Sequence, residues 1–229
     1  MKHFILFIIL LTSLNCFAQV PNGWWFAAGG NMSSLNSEQL KSDGVLGYSF
    51  GIGMTTGYHE RYHFEFNLIA STNNFDLYKS DFEGNDIGTV KASRSSADFS
   101  FNYNYYIILP EENKFYLGVR PGLDVVYHGK FKLKDDDDGY SYSVQPLAIT
   151  PSSISNSSGK FNLDPSLGIS AGYNNFRFIL KYNLGLGNYL NDLKTDSFDN
   201  SNLYTGPEIE GKLNRISLIV FYRFYIKKQ

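Results

Sequence analysis

Strict two-residue alternation of apolar and polar side chains constrains this chain more than any other feature. It recurs in segment after segment, and only a strand with two unlike faces produces it. In 62–70, Tyr62, Phe64, Phe66, Leu68 and Ala70 oppose His63, Glu65, Asn67 and Ile69. In 98–107, Phe99, Phe101, Tyr103, Tyr105 and Ile107 oppose Asp98, Ser100, Asn102, Asn104 and Tyr106. The same pattern runs through 115–127, 161–173, 176–187 and 215–226. Two Gly-rich segments near 23–32 and 45–58 complete a set of eight. No helical stripe, domain linker or second domain interrupts them.

The connections alternate too. Those at His59-Glu60, Pro110–Asn113 and Asn174-Asn175 are tight, whereas those at about 33–44, 73–92, 129–160 and 189–212 are long and polar. Long loops at one end, with short turns and both termini at the other, is the plan of an even-stranded outer-membrane barrel. The expected fold is all-β, an eight-stranded antiparallel up-and-down transmembrane barrel. A soluble barrel would carry Lys and Glu on its polar face. Here that face is mostly Gly, Ser, Asn and Thr, which suits the packed interior of a small barrel. Its apolar face carries rings near the strand ends, among them Trp24, Tyr58, Tyr62, Phe115, Tyr127, Phe161, Tyr173, Phe176 and Phe224, as two interfacial girdles would.

Residues 1–18 read as a signal peptide. Lys2 and His3 precede the apolar run Phe4–Leu11, and Cys16-Phe17-Ala18 ends it, with cleavage expected before Gln19. The barrel domain is then 19–229. Cleavage removes the only cysteine and leaves 19 basic against 22 acidic residues, a net charge of −3. That balance excludes an electrostatic nucleic-acid binder. The 36 Phe and Tyr residues exclude a disordered chain.

The chain resembles the PorT-like family of outer-membrane β-barrel proteins. The resemblance rests on the opening Ala28-Gly29-Gly30-Asn31-Met32-Ser33-Ser34-Leu35, on Gly47-Tyr48-Ser49-Phe50-Gly51-Ile52-Gly53, on Tyr116-Leu117-Gly118-Val119-Arg120-Pro121-Gly122, and on the aromatic last strand. It implies location in the cell outer membrane. The family's founding member is implicated in a protein-secretion pathway.

The candidate site is a set of charges predicted to face the lumen: Glu65, Asp98, Asp124 and Asp164 with Arg120, Arg177, Lys181, Arg215 and Arg223. Such a set is either a pore lining or a paired network that fills the barrel. Asp135–Gly139 looks like a calcium loop but fails. With Gly139 at position 6, position 1 is Lys134 and position 12 is Gln145. The neighbouring Lys130, Lys132, Lys134 and Lys160 would neutralise the run. His59 and His63 are four apart, a ligand spacing only on a helix. His128 has no evident Ser and acid partners. Pro121 and Pro165, inside strand patterns, are expected to mark bulges or bends. The long loops, rich in Ser, Asn, Tyr and Asp, are able to bind other proteins or glycans, and the Ser-rich stretch Val144–Lys160 reads either as such a surface loop or as a hydrophilic shield with no partner.

These readings converge on a monomeric, non-enzymatic barrel with no cofactor and no metal. It would act as an envelope interaction or assembly component through its long loops or periplasmic rim. Its expected partners are outer-membrane lipid and envelope or secretion proteins, not nucleic acid. The alternatives are a narrow pore for ions or small solutes and a lipid-modifying barrel enzyme.

Overall fold

The computed structural model describes residues 23–38, 40–59, 61–80, 85–108, 115–134, 154, 159–173, 175–190, 193–196 and 205–224. The strands are β1 (Trp24–Asn36), β2 (Ser42–His59), β3 (Tyr62–Ser80), β4 (Asp86–Ile108), β5 (Phe115–Leu133), β6 (Lys160–Tyr173), β7 (Phe176–Asn183), β8 (Lys194–Asp196), β9 (Thr205–Glu208) and β10 (Lys212–Phe224). Eight of them close into a ring in the order β1-β10-β7-β6-β5-β4-β3-β2, every pair antiparallel. β8 and β9 form a separate hairpin between β7 and β10.

Closure needs tilted strands and a fixed stagger. Paired neighbours traced round the ring from Thr55 run through Glu65, Asn102, Gly122, Ser166, Asn183 and Arg215 to Ser33. Ser33 lies one row beyond the Met32–Leu46 pair, level with Val45 and therefore ten residues from Thr55. That stagger leaves an interior just wide enough for side chains.

The alternation places side chains as expected. Phe26, Leu46, Phe50, Leu68, Phe99, Leu123, Leu163, Leu167, Phe178 and Leu218 all face outward and are exposed. The polar partners of the same strands are buried inside.

Two of the four expected long loops are largely strand. β3 and β4 go on pairing into 73–92 as far as Ser80 and Asp86. The chain between β1 and β2 shortens to 37–41. The physical reason is a reversal of polarity along the strand. Near the loop end Phe75, Leu77, Val90 and Ala92 point inward and are buried, while Asn74, Asp76 and Lys91 point outward. The outward face there is as polar as a loop, which hides the strand.

The prolines do not shift their ladders. Between β4 and β5 the pairs Asn102–Gly122 and Tyr105–Val119 keep one register, and the two rows between them, which include Pro121, are unpaired. Pro165 pairs across to Leu123, and its other edge lies where the β6–β7 ladder stops at Ser166–Asn183. The missing N–H groups thus fall at gaps in pairing. The register shifts occur elsewhere, including one between Arg94 and Ser96 on β4.

Candidate functional site

The lumen is filled in tiers. Nearest the turn end, Glu65 is fully buried. One carboxylate oxygen accepts from Arg177 and contacts His63 Nε2 at 2.6 Å, and the other accepts from Arg120 Nε at 3.0 Å. The Arg177 guanidinium also lies over the rings of Trp25 (4.3 Å) and Phe221 (4.8 Å). The strand periodicity puts His63 and Glu65 on one face of β3, and the barrel brings β5 and β7 opposite them.

The second tier holds two more ion pairs. Asp124 accepts from Lys181 Nζ and from Asn183 Nδ2, both at 2.5 Å. Asp98 accepts from Arg215, whose other terminal nitrogen donates to Ser71 Oγ at 3.1 Å. Ser71 bonds Ser96, Asn73 donates to Ser96, and Ser33 donates to Asn73. On β3, β7 and β10 the inward residues Ile69, Ile179 and Ile219 stand between the two tiers and pack with Trp25, Ala27 and Phe221.

Most of the sequence-predicted charges therefore meet. Asp164 is 4% exposed, directly opposite Asp124 on the paired strand, and has no ion-pair partner among the described residues. Arg223 is half-buried at the turn end, over the Trp25 ring at 5.7 Å.

The sequence reading missed Arg94. It sits on β4 between the expected loop 73–92 and the alternating segment 98–107. Fully buried, it donates to the carbonyls of Gly129 (2.6 Å) and Tyr189 (2.7 Å) and lies over the rings of Phe131 (4.6 Å) and Tyr189 (4.5 Å). Above it, at the loop end, sits an apolar cap that includes Leu35, Phe75, Leu77, Val90, Phe131, Tyr189, Leu193 and Leu213. The cap is pinned by Asn188, whose side chain accepts from the Leu190 and Gly211 amides and donates to the Ile209 carbonyl. A run of apolar residues at alternate positions, Phe75 and Leu77 or Phe131 and Leu133, was the signal that would have found it.

Beside the cap a cleft of about 790 Å³ opens at the loop end, lined among others by Leu35, Leu40, Lys41, Asp43, Tyr78, Glu210 and Lys212. Tyr78 donates to Asp43 at 2.6 Å across its rim.

The histidines part company. His59 is exposed and stacks on Tyr62 at 4.7 Å, whereas His63 belongs to the Glu65 cluster. His128 is buried against the Tyr189 ring at 4.7 Å, and neither ring nitrogen has a hydrogen-bond partner among the described residues. No group of three metal-ligating side chains occurs among the described residues. The signal segment 1–18, the aspartates of 135–139 and most of Val144–Lys160 lie outside the described residues, as do the side chains of Tyr58 and Phe224.

Outside, ring pairs mark both borders of the apolar band. Tyr127 and Phe161 meet at 4.9 Å toward the loops. Phe176 meets Tyr222 at 5.2 Å, and Tyr62 meets Tyr103 at 5.5 Å, toward the turns. No helix among the described residues is long and apolar enough to cross a membrane. A closed ring with every backbone ladder joined and a lipid-like exterior crosses with strands instead. These features define the class: an eight-stranded transmembrane β-barrel of the outer-membrane type, seated in the cell outer membrane.

No protein-family model matches the sequence, and no curated protein matches it in sequence. Among solved structures the chain is similar to Ail, the attachment invasion locus protein of Yersinia pestis, at 14% identity and a TM-score of 0.42, over 90% of this chain and 100% of that one. It is also similar to OprG from Pseudomonas aeruginosa, at 14% identity and a TM-score of 0.42 over 89% and 97%. Neisserial surface protein A matches at 13% identity and a TM-score of 0.39 over 88% and 97%.

Proposed function

We propose that the protein is a non-enzymatic outer-membrane component of PorT-like type that works by contact, as an interaction or assembly partner in the envelope. The carrying observation is the apolar cap at the loop end. An apolar cap from Leu35 to Leu213 lies over two tiers of paired charges, so an ion would have to pass an apolar layer and then displace buried salt bridges. With transport disfavoured, work falls to the ends of the barrel. The loop end is the elaborated one: it carries the raised β3–β4 hairpin, the β8–β9 hairpin and the cleft beside the cap. Loops on a rigid scaffold are where binding residues concentrate.

Two measurements test this reading. The purified barrel in planar bilayers is expected to be electrically silent; steady channels altered by Arg120→Ala would establish a pore instead. In-cell cross-linking from the loop end is expected to capture a reproducible envelope protein. Capture only from the periplasmic turns would move the contact to the other rim.

A further inference from the structure

The loop end of β5 carries a feature that neither the cap nor the cleft uses. Up to His128 the even-numbered residues of β5 point inward, among them Tyr116, Arg120, Asp124 and Val126. The β4–β5 register then slips: Ser96 pairs with His128, but Arg94 pairs with Phe131. Gly129 and Lys130 together face Ser95, which is a β-bulge. The bulge reverses the alternation. Phe131 turns inward into the cap, and Lys130, Lys132 and Lys134 turn outward and are exposed. Arg94 holds the bulge by its bond to the Gly129 carbonyl. Without that slip the lysines would point into the barrel.

Their height follows from the strand. The outward residues from Phe115 to Tyr127 form the apolar run of β5. Those twelve steps cover roughly 40 Å along the strand, and about 28 Å along the axis at a tilt of about 45°. A barrel's apolar band is about 25 Å tall. Tyr127, paired with Phe161, therefore lies at the border, and the three lysines lie just beyond it, at headgroup level. On the neighbouring strand the outward residues at this level are Ser95, Ser93 and Lys91, with Lys91 opposite Asp76. Ser93 pairs with Lys132. Asp135–Asp138 follow in the chain, outside the described residues.

We infer that the outward strip Lys130, Lys132 and Lys134, aimed by the bulge at Gly129, binds phosphate groups of lipids in the outer leaflet. Ammonium groups beside an anionic surface attract it, and each contributes about fivefold in affinity. The hydroxyls of Ser93 and Ser95 can donate to the same phosphate oxygens. Lysines placed here fix the barrel's height and attach it to phosphorylated lipid.

The test uses the full barrel in phosphatidylcholine nanodiscs containing either lipid A or dephosphorylated lipid A. Lipid retained per barrel is read by native mass spectrometry. The wild-type protein is expected to retain the phosphorylated lipid selectively. K130Q/K132Q/K134Q should weaken retention by about fivefold per lysine removed, and K130R/K132R/K134R should restore it. The three single Gln variants, each on an exposed side chain, carry the test if the triple variant does not fold. Unchanged retention in the Gln variants would overturn the inference, as it must if the lysines serve only to neutralise Asp135–Asp138. Equal retention of both lipids would overturn it as well. Displacement of lipid A by equimolar inorganic phosphate would reassign the strip to free phosphate.

Discussion

Glu65 shows what a single residue does in a barrel of this width. Among the described residues it is the only carboxylate in its tier, and it faces two guanidinium groups, with His63 on the same oxygen as Arg177. Two buried cations against one anion stay stable only while that anion is present and its hydrogen bonds are made. The rings of Trp25 and Phe221 beside Arg177 add attraction, because a ring face attracts a guanidinium. Glu65→Gln keeps the shape and removes the charge. It leaves Arg120 and Arg177 repelling each other in a buried tier. The expected loss is about 3–5 kcal/mol of folding stability, read from urea unfolding of the barrel in vesicles. A variant as stable as wild type would show that water reaches this tier. The reading of these residues from sequence was direct, since alternation put Glu65, Arg120 and Arg177 on one face and the small, weakly charged make-up of that face put it inward. What alternation does not give is the pairing, because which inward residues touch depends on the stagger round the ring.

At the scale of elements, the β3–β4 hairpin is built to two opposite rules. In its lower half, Phe64, Phe66, Leu68, Phe99 and Phe101 point out toward lipid, and Glu65, Asn67, Asp98 and Ser100 point in. In its upper half, Asn74, Asp76 and Lys91 point out, and Phe75, Leu77, Val90 and Ala92 point in. The change of solvent from hydrocarbon to water inverts the pattern without breaking the strand. This explains how far the sequence could be read. Within the membrane the eight segments stand out because apolar and polar faces differ. Above it the outward polar face resembles a loop, so 73–92 read as one, and Arg94, between that stretch and the segment 98–107, was assigned to neither. The bulge at Gly129 was hidden for a related reason, since a one-residue slip exchanges faces while leaving the alternation intact. The upper half should behave as the core of a soluble protein. Phe75 is buried against Phe131 (6.2 Å) and Tyr189 (6.3 Å). Phe75→Ala is expected to cost about 3–5 kcal/mol and to raise protease cleavage in 184–211, whose residues Tyr189 and Leu190 pack on that ring's cluster. Undiminished stability would mean that the cap is loosely packed and contributes little to the seal.

For the whole molecule, the tiers, the cap and the closed ring make one cooperative object. All eight ring strands contact both neighbours, so no edge is left from which the sheet could peel. The interior has charges bonded across strands far apart in sequence, such as Glu65 to Arg177 and Asp98 to Arg215. Opening the ring at any seam therefore exposes several buried charges at once and breaks a full ladder of backbone bonds. In detergent the lipid-facing band is already satisfied, so detergent alone offers little reason to unfold. Heat is needed to supply the barrier. An unheated sample should then migrate on a gel as a compact form distinct from the boiled one, and the two bands should interconvert in a narrow temperature interval without intermediates. Glu65→Gln should lower that temperature, because it removes the anion that holds β3 to β5 and β7. A single band at all temperatures would argue that the ring is not closed in detergent. A smeared transition would argue that the capped upper half and the membrane-spanning lower half unfold separately, which their opposite polarity rules would then explain.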